Sequence, residues 1–301
     1  MQQDTEAQEG WTRFEYSAPD GLLLAGRLYG AAHDDALPVV CLAGLTRNSA
    51  DFHELALHLS RDAARPRKVF CPDYRGRGIS ARDSDWRNYH PLTEADDVLA
   101  GMAAAGLEGA AFVGTSRGGM IAMILAAMRP TVLKAVVLND VGPEIDSDGI
   151  ARIRAYVEKG RDFDNWQEAV AAVRAIAAQQ FPGFDDRAWQ RQARLIFEEK
   201  DGRVVRRYDP AIMKTLAAID PDRPLPTMWP QFEGLKRMKL LTIRGALSDL
   251  LSSGTLETMR AKHPEMEVIT VEDQGHAPDL GTRDLPERIA AFIASAEGAR
   301  R

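Results

Sequence analysis

Apolar residues recur along this chain in two rhythms. Short, nearly continuous apolar runs stand at 38–42, 68–71, 110–113, 133–138, 240–244 and 266–271. Such runs fit strands buried on both faces better than strands with one wet side. Longer stretches with helical spacing lie between them, at 51–61, 93–106, 120–128, 253–262 and 285–297. The second opens on Thr93-Glu94-Ala95-Asp96, a capping box at a helix start. The third stops at Pro130, which cannot continue a helix. Two further strands, 12–17 and 22–29, flank the turn Pro19-Asp20-Gly21. Regular alternation of strand and helix predicts a parallel sheet with helices on both faces.

The alternation lapses between residues 143 and 230. Helical patterns take over at 150–158, 166–179, 186–198 and 210–219, followed by Pro221-Asp222-Arg223-Pro224-Leu225-Pro226. The reading is a helical cap inserted over the strand ends. It divides the chain into a first core part (1–142), the insertion (143–230) and a second core part (231–301). The first ten residues are polar and read as a frayed tail. No internal repeat stands out.

Composition narrows this only a little. The 301 residues are 45% hydrophobic and 27% charged, the balance of a globular chain. A net charge of −6 gives no electrostatic reason to expect nucleic acid or an anionic membrane as partner. The basic cluster Arg203, Arg206 and Arg207 is interleaved with acids and reads as a solvated surface. Cys41 and Cys71 end apolar runs and read as two reduced core residues, although neighbouring strands would also permit a disulfide. The N-terminus has no cationic start or apolar core, and no apolar run has bilayer length, so a soluble cytoplasmic protein is expected. A homodimer is compatible with the sequence.

The chemistry concentrates at Gly114-Thr115-Ser116-Arg117-Gly118-Gly119, a G-x-S-x-G pattern between a predicted strand and a predicted helix. A sharp turn there lifts the serine hydroxyl clear of the sheet, and small flanking residues avoid clashes. Ser116 is the expected nucleophile. The alternative is a purely structural Gly-rich turn. A neutral serine needs a base, and the base needs an orienting acid. His276, in Gln274-Gly275-His276-Ala277-Pro278, follows the strand at 266–271, where an open parallel sheet collects its reactive groups. His33, His53, His58, His90 and His263 lie in turns or predicted helices and read as structural, with His90 a candidate for lining the pocket.

Two aspartates follow core strands and satisfy the chain order serine, acid, histidine. Asp249 is favoured as the acid. Asp140 competes with it, or else anchors the start of the cap. The oxyanion donors are expected to be the backbone amides of Arg117 and of Leu45, in the loop after the strand at 38–42. Arg47 and Asn48 in that loop face either a polar substrate group or solvent. No metal cluster and no dinucleotide fingerprint is visible, so neither metal nor cofactor is expected.

These pieces, with Asp73-Tyr74-Arg75-Gly76-Arg77-Gly78-Ile79-Ser80 (D-x-R-G-x-G-x-S), resemble the cap-bearing members of the α/β-hydrolase superfamily. The resemblance spans residues 12–297 apart from the cap. It implies an eight-stranded, mostly parallel sheet and a hydrolase acting on a small molecule with a hydrophobic portion. Many members carry His-Gly where this chain has Ala43-Gly44, and a smaller or apolar residue where it has Arg117. Serine at position 116 disfavours the aspartate-dependent epoxide and haloalkane chemistries of the fold. Cleavage of an ester or lactone through an acyl-serine is the leading expectation. Carbon–carbon bond hydrolysis of a ring-cleavage product, or ligand sensing without turnover, are the alternatives. The apolar residues of the cap, Ile150, Ile153, Tyr156, Phe181, Phe184, Trp189, Phe197, Met228 and Trp229, cannot be sorted by pattern into packing and pocket.

Overall fold

The structure is a computed structural model, and it describes residues 9–146, 149, 152–154, 160–218 and 226–298. The Pro-rich stretch up to Leu225, most of the helix expected at 150–158, and Ile150 and Tyr156 lie outside the described residues.

Eight strands form one sheet in the order β1-β2-β4-β3-β5-β6-β9-β10. They are β1 (Thr12–Ser17), β2 (Leu23–Tyr29), β3 (Val39–Leu42), β4 (Val69–Pro72), β5 (Ala110–Thr115), β6 (Leu133–Asn139), β9 (Lys239–Gly245) and β10 (Glu267–Val271). β1 pairs antiparallel with β2, and β2 antiparallel with β4. Every later pairing is parallel. The mostly parallel α/β sheet expected from the pattern is therefore present.

The continuous apolar runs have a simple reason. Side chains alternate across a strand, so a run buried on both faces feeds two cores. Val40, Leu42, Phe112, Val136 and Leu138 enter one core, with Ala95, Val98 and Met102 of α2 (Pro91–Ala104) and Ile121 and Leu125 of α3 (Arg117–Met128). Val39, Cys41, Val113, Ala135 and Val137 enter the other. There they meet Leu55 and Leu59 of α1 (His53–Ser60) and Ile289, Phe292 and Ile293 of the last helix (Leu285–Gly298). Each such fully buried Leu, Ile or Phe contributes about 1.5–3 kcal/mol. Cys41 and Cys71 are buried and unbridged. Among the described residues, no helix is long and apolar enough to cross a membrane.

The D-x-R-G-x-G-x-S segment is a structural knot after β4. Asp73, buried, accepts the amides of Ser49 (2.5 Å) and Ile79 (2.9 Å). Arg75 forks onto Asp97 and also reaches Asp20 and Asp83. These bonds hold the loops after β3 and β4 against one another.

Between β6 and β9 the chain builds a smaller unit. Helices α4 (Trp166–Ala177) and α5 (Asp186–Ile196) start on side-chain caps, Asn165 to the Glu168 amide and Asp185 to the Ala188 amide. They pack with β7 (Phe197–Lys200) and β8 (Arg203–Arg206) around Phe163, Val173, Trp189, Ile196 and Val204. The hairpin corrects the expectation that helix continues to residue 198. Asp201-Gly202, both at positive φ, makes the tight turn joining the two strands, and helical spacing alone conceals it. The segment after Pro210 is a short 3-10 turn (Pro210–Ile212) and a five-residue helix (Met213–Ala217).

Candidate active site

Ser116 sits between β5 and α3 with φ 51° and ψ −113°, a conformation that costs energy outside glycine. Close packing imposes it. A Cβ at Gly118 would lie 2.0 Å from the Leu42 carbonyl oxygen, and one at Gly114 would lie 2.6 Å from the Gly118 backbone. The strand-to-helix turn therefore has room only for hydrogen at these positions. The Ser116 amide donates to the Asn139 carbonyl at 3.1 Å, which ties the turn to β6.

His276 lies in the loop after β10. Its Nε2 is 3.0 Å from Ser116 Oγ, and its Nδ1 is 2.8 Å from Asp140 Oδ2. The base expected from sequence thus meets the expected nucleophile. The expected acid does not meet the base. Asp249 stands four residues beyond the end of β9 and turns to Arg152, which grips it through Nε (2.6 Å) and Nη2 (2.9 Å). Burial pushes the Asp249 carboxyl up, but hydrogen bonds from Arg152 and Gln180 and the Arg152 charge hold it below its ordinary value. Asp140 occupies the place at His276 instead. It follows β6 directly, is fully buried and has φ 55°. Its own amide donates to the Ile243 carbonyl on β9 (2.7 Å), its Oδ1 accepts the Gly245 amide (2.9 Å), and its Oδ2 accepts Ser248 Oγ (2.6 Å). The same loop that carries Asp249 away from His276 carries Ser248 onto Asp140. A buried carboxylate held by three donors is fixed in direction.

Leu45 lines the cavity beside Gly44, whose added Cβ would lie 3.9 Å from the Ser116 Cβ. Arg117 is the first residue of α3, where a helix has no acceptor for its amide. Among the described residues, neither the Leu45 nor the Arg117 amide has a hydrogen-bond acceptor. Two amides, one in the loop beside Gly44 and one directly after Ser116, are thus left unused among the described residues. The Arg117 side chain leaves the site and pairs with Glu94 at 2.7 Å.

Three residues not anticipated from sequence brace this geometry. Asn139 Nδ2 donates to Thr115 Oγ1 and to the Pro278 carbonyl, each at 3.0 Å, linking β5, β6 and the His276 loop. Gln180, between α4 and α5, accepts the His276 amide at 3.1 Å. Ser248 is the third. Only Asn139 carried a readable signal, as the neighbour of Asp140 at a strand end. His276 alone among the histidines lines the cavity, while His90 caps α2 through the Leu92 amide.

The cavity over Ser116 has a volume of about 210 Å³. Structure sorts the apolar residues that pattern left unsorted. Ile153, Phe181, Phe184 and Trp189 line the cavity. Phe197 packs inside the smaller unit, while Met228 and Trp229 pack on the main core. Arg47 also lines the cavity, forked onto Asp51 and bonded to Gln192. Asn48 is buried and bonded to the Leu195 carbonyl, so it faces neither solvent nor cavity.

A family model described as the α/β-hydrolase fold matches residues 38–278. The chain is 31% identical over 247 residues to a 3-hydroxybutyrate-oligomer hydrolase of Cupriavidus necator, covering 80% of this chain and 82% of that one. It is 26% identical over 234 residues to a 2-(acetamidomethylene)succinate hydrolase of Mesorhizobium japonicum, covering 77% and 79%. Among solved structures, an α/β hydrolase of Novosphingobium aromaticivorans superposes with a TM-score of 0.87 at 37% identity, over 95% of this chain and 98% of that one.

Proposed function

This chain belongs to the α/β-hydrolase family, and from that premise we propose that it cleaves a carboxylic ester or lactone through an acyl-Ser116 intermediate. The observation that carries the reading is the unbroken relay from Ser116 Oγ to His276 Nε2 (3.0 Å) and from His276 Nδ1 to Asp140 (2.8 Å), at the foot of a mostly apolar cavity.

The chemistry follows from the distances. His276 takes the Ser116 proton as Oγ attacks the carbonyl carbon. The carbonyl oxygen becomes an oxyanion between the Leu45 and Arg117 amides, which have no other acceptor among the described residues. The positive end of α3 adds to this field. Asp140 holds the imidazole tautomer and stabilises the imidazolium. His276 then protonates the leaving alcohol, and the acyl–oxygen bond breaks. A water, deprotonated by the same imidazole, releases the acid and restores Ser116.

At about 210 Å³ the cavity is smaller than the roughly 300–1,000 Å³ of sites for drug-sized ligands, so the acyl portion is short. The unit between β6 and β9 supplies most of the apolar wall and acts as the cap. The substrate for which the Cupriavidus relative is named, a 3-hydroxybutyrate oligomer, supports an aliphatic acyl group of this size.

A fluorophosphonate probe is expected to label the wild-type protein at Ser116 and to leave Ser116→Ala unlabelled. Equal labelling of both proteins overturns the reading. In a p-nitrophenyl ester series from acetate to palmitate, kcat/KM is expected to peak at a short acyl chain and fall for the longest. No turnover of any ester or lactone, with turnover of a vinylogous carbon–carbon substrate, favours the alternative chemistry.

A further inference from the structure

Arg77 lies in the segment after β4, and its side chain is wholly buried. Its Nε donates to the Leu45 carbonyl at 2.9 Å, and its Nη1 donates to the Arg75 carbonyl at 2.8 Å. The same Nη1 pairs with Glu94 Oε1 at 2.8 Å. Glu94 lies in the first turn of α2 and is also wholly buried. Its other oxygen receives Arg117 Nε at 2.7 Å, while Arg117 Nη2 donates to the Tyr89 carbonyl at 2.9 Å. One buried carboxylate thus joins Arg117, the residue after Ser116, to Arg77, which in turn holds the Leu45 carbonyl.

Stability does not account for this arrangement. Burying three charges costs several kcal/mol per ion before their attraction returns it, and apolar replacements of such clusters are often as stable. The cluster also leaves Arg77 Nη2 and Glu94 Oε1 without a hydrogen-bond partner among the described residues, so Arg77 and Glu94 meet as an ion pair alone. It does fix geometry well. The guanidinium forks are planar and rigid, and each one ends on a backbone carbonyl as well as on Glu94. Burial pushes the Glu94 carboxyl up, but the Arg117 and Arg77 charges bring it below its ordinary value, so it is ionised.

We infer that Arg77, Glu94 and Arg117 form a positioning cluster for the oxyanion hole. It holds Leu45 through its carbonyl and Arg117 through its side chain, so that both amides keep a common focus. This rests on the reading of Ser116 as the acylated nucleophile. A donor displaced by about an ångström loses much of a contribution that is typically 10²–10³-fold in rate.

The test compares wild type with Arg77→Met and Arg117→Met, each of which keeps its backbone amide and comparable length. Arg117→Lys serves as a variant that keeps the charge but cannot span Glu94 and Tyr89 together. Activity is expressed per site titrated to completion with fluorophosphonate, which excludes unfolded protein from the count. Each variant is expected to lose about ten- to hundredfold in kcat with KM within threefold. Affinity for a trifluoromethyl ketone, which mimics the tetrahedral oxyanion, should fall by the same factor as kcat/KM, with butyrate inhibition unchanged. A merely structural cluster predicts a lower melting temperature with kcat per titrated site within twofold of wild type, and that result overturns the inference. If wild type shows no Ser116-dependent ester turnover, the reading of the site fails and the inference fails with it.

Discussion

Asp140→Asn is expected to lower kcat by about 10³–10⁴-fold on any ester the protein accepts, while Asp249→Asn stays within about threefold. The carboxamide is isosteric, and asparagine tolerates the positive φ of 55° at this position, so the fold is retained. The hydrogen bonds change, however. Oδ1 of Asp140 accepts the Gly245 amide and Oδ2 accepts both Ser248 Oγ and His276 Nδ1. An amide has only one acceptor atom. If it faces Gly245, its NH₂ group confronts Nδ1 and selects the tautomer that cannot take the Ser116 proton. If it faces His276, the NH₂ group meets the Gly245 amide, and the imidazolium loses its counter-charge in either case. Asp249 makes a different prediction because its carboxylate is part-exposed and faces Arg152. Removing such a charge is worth roughly 0–1 kcal/mol. Steady-state kinetics on both variants, with circular dichroism as a check on folding, decide the matter. A large loss at Asp249 with little at Asp140 would reverse the assignment.

The second large effect concerns the turn itself. Gly118→Ala is expected to cost about 3 kcal/mol or more, or to abolish soluble expression. The new Cβ would lie 2.0 Å from the Leu42 carbonyl oxygen and 2.5 Å from the Leu42 carbonyl carbon. Both atoms are backbone, in a strand paired on each side, and so cannot swing away as a flexible side chain would. The start of α3 would have to lift from β3, moving Ser116 with it. Gly254→Ala is the control. It lies in the helix Ser253–Lys262, where the nearest heavy atom to an added Cβ is the Ser252 hydroxyl at 4.0 Å, and helix propensity favours alanine by about 1 kcal/mol. Urea denaturation of both variants measures the contrast. A cost below about 1 kcal/mol at Gly118 would mean that strand and helix are not locked as described.

Local features were legible from the chain alone, and assembled ones were not. Ser116 and its glycines could be read because a steric requirement confined to six consecutive residues leaves its mark in those residues. The strands could be read because burial on both faces demands unbroken apolar runs. The acid is different. Asp140 and Asp249 both follow sheet strands, and nothing near either of them says which one faces His276. That depends on β6 and β9 being neighbours, on the Asp140 amide bonding Ile243 across them, and on the loop after β9 turning Ser248 inward. Gln180 and Glu94 act through contacts 96 and 23 residues away along the chain, and neither has a local signature. The β7–β8 hairpin did leave a sign in Asp201-Gly202, overshadowed by the strong helical spacing before it.

The placement of Asp140 has an evolutionary consequence. The proposed nucleophile Ser116 and Asp140 both precede the segment between β6 and β9 and follow adjacent strands, and His276 comes after it. That segment can change length, gain or lose a hairpin, or be replaced outright without passing between Ser116 and Asp140. On the proposed function, bond breaking and substrate choice are encoded in stretches of the gene that can diverge at different rates. Their meeting points are a few contacts such as Gln180 with His276 and Arg152 with Asp249. Relatives acting on dissimilar molecules can then share one catalytic floor under different roofs.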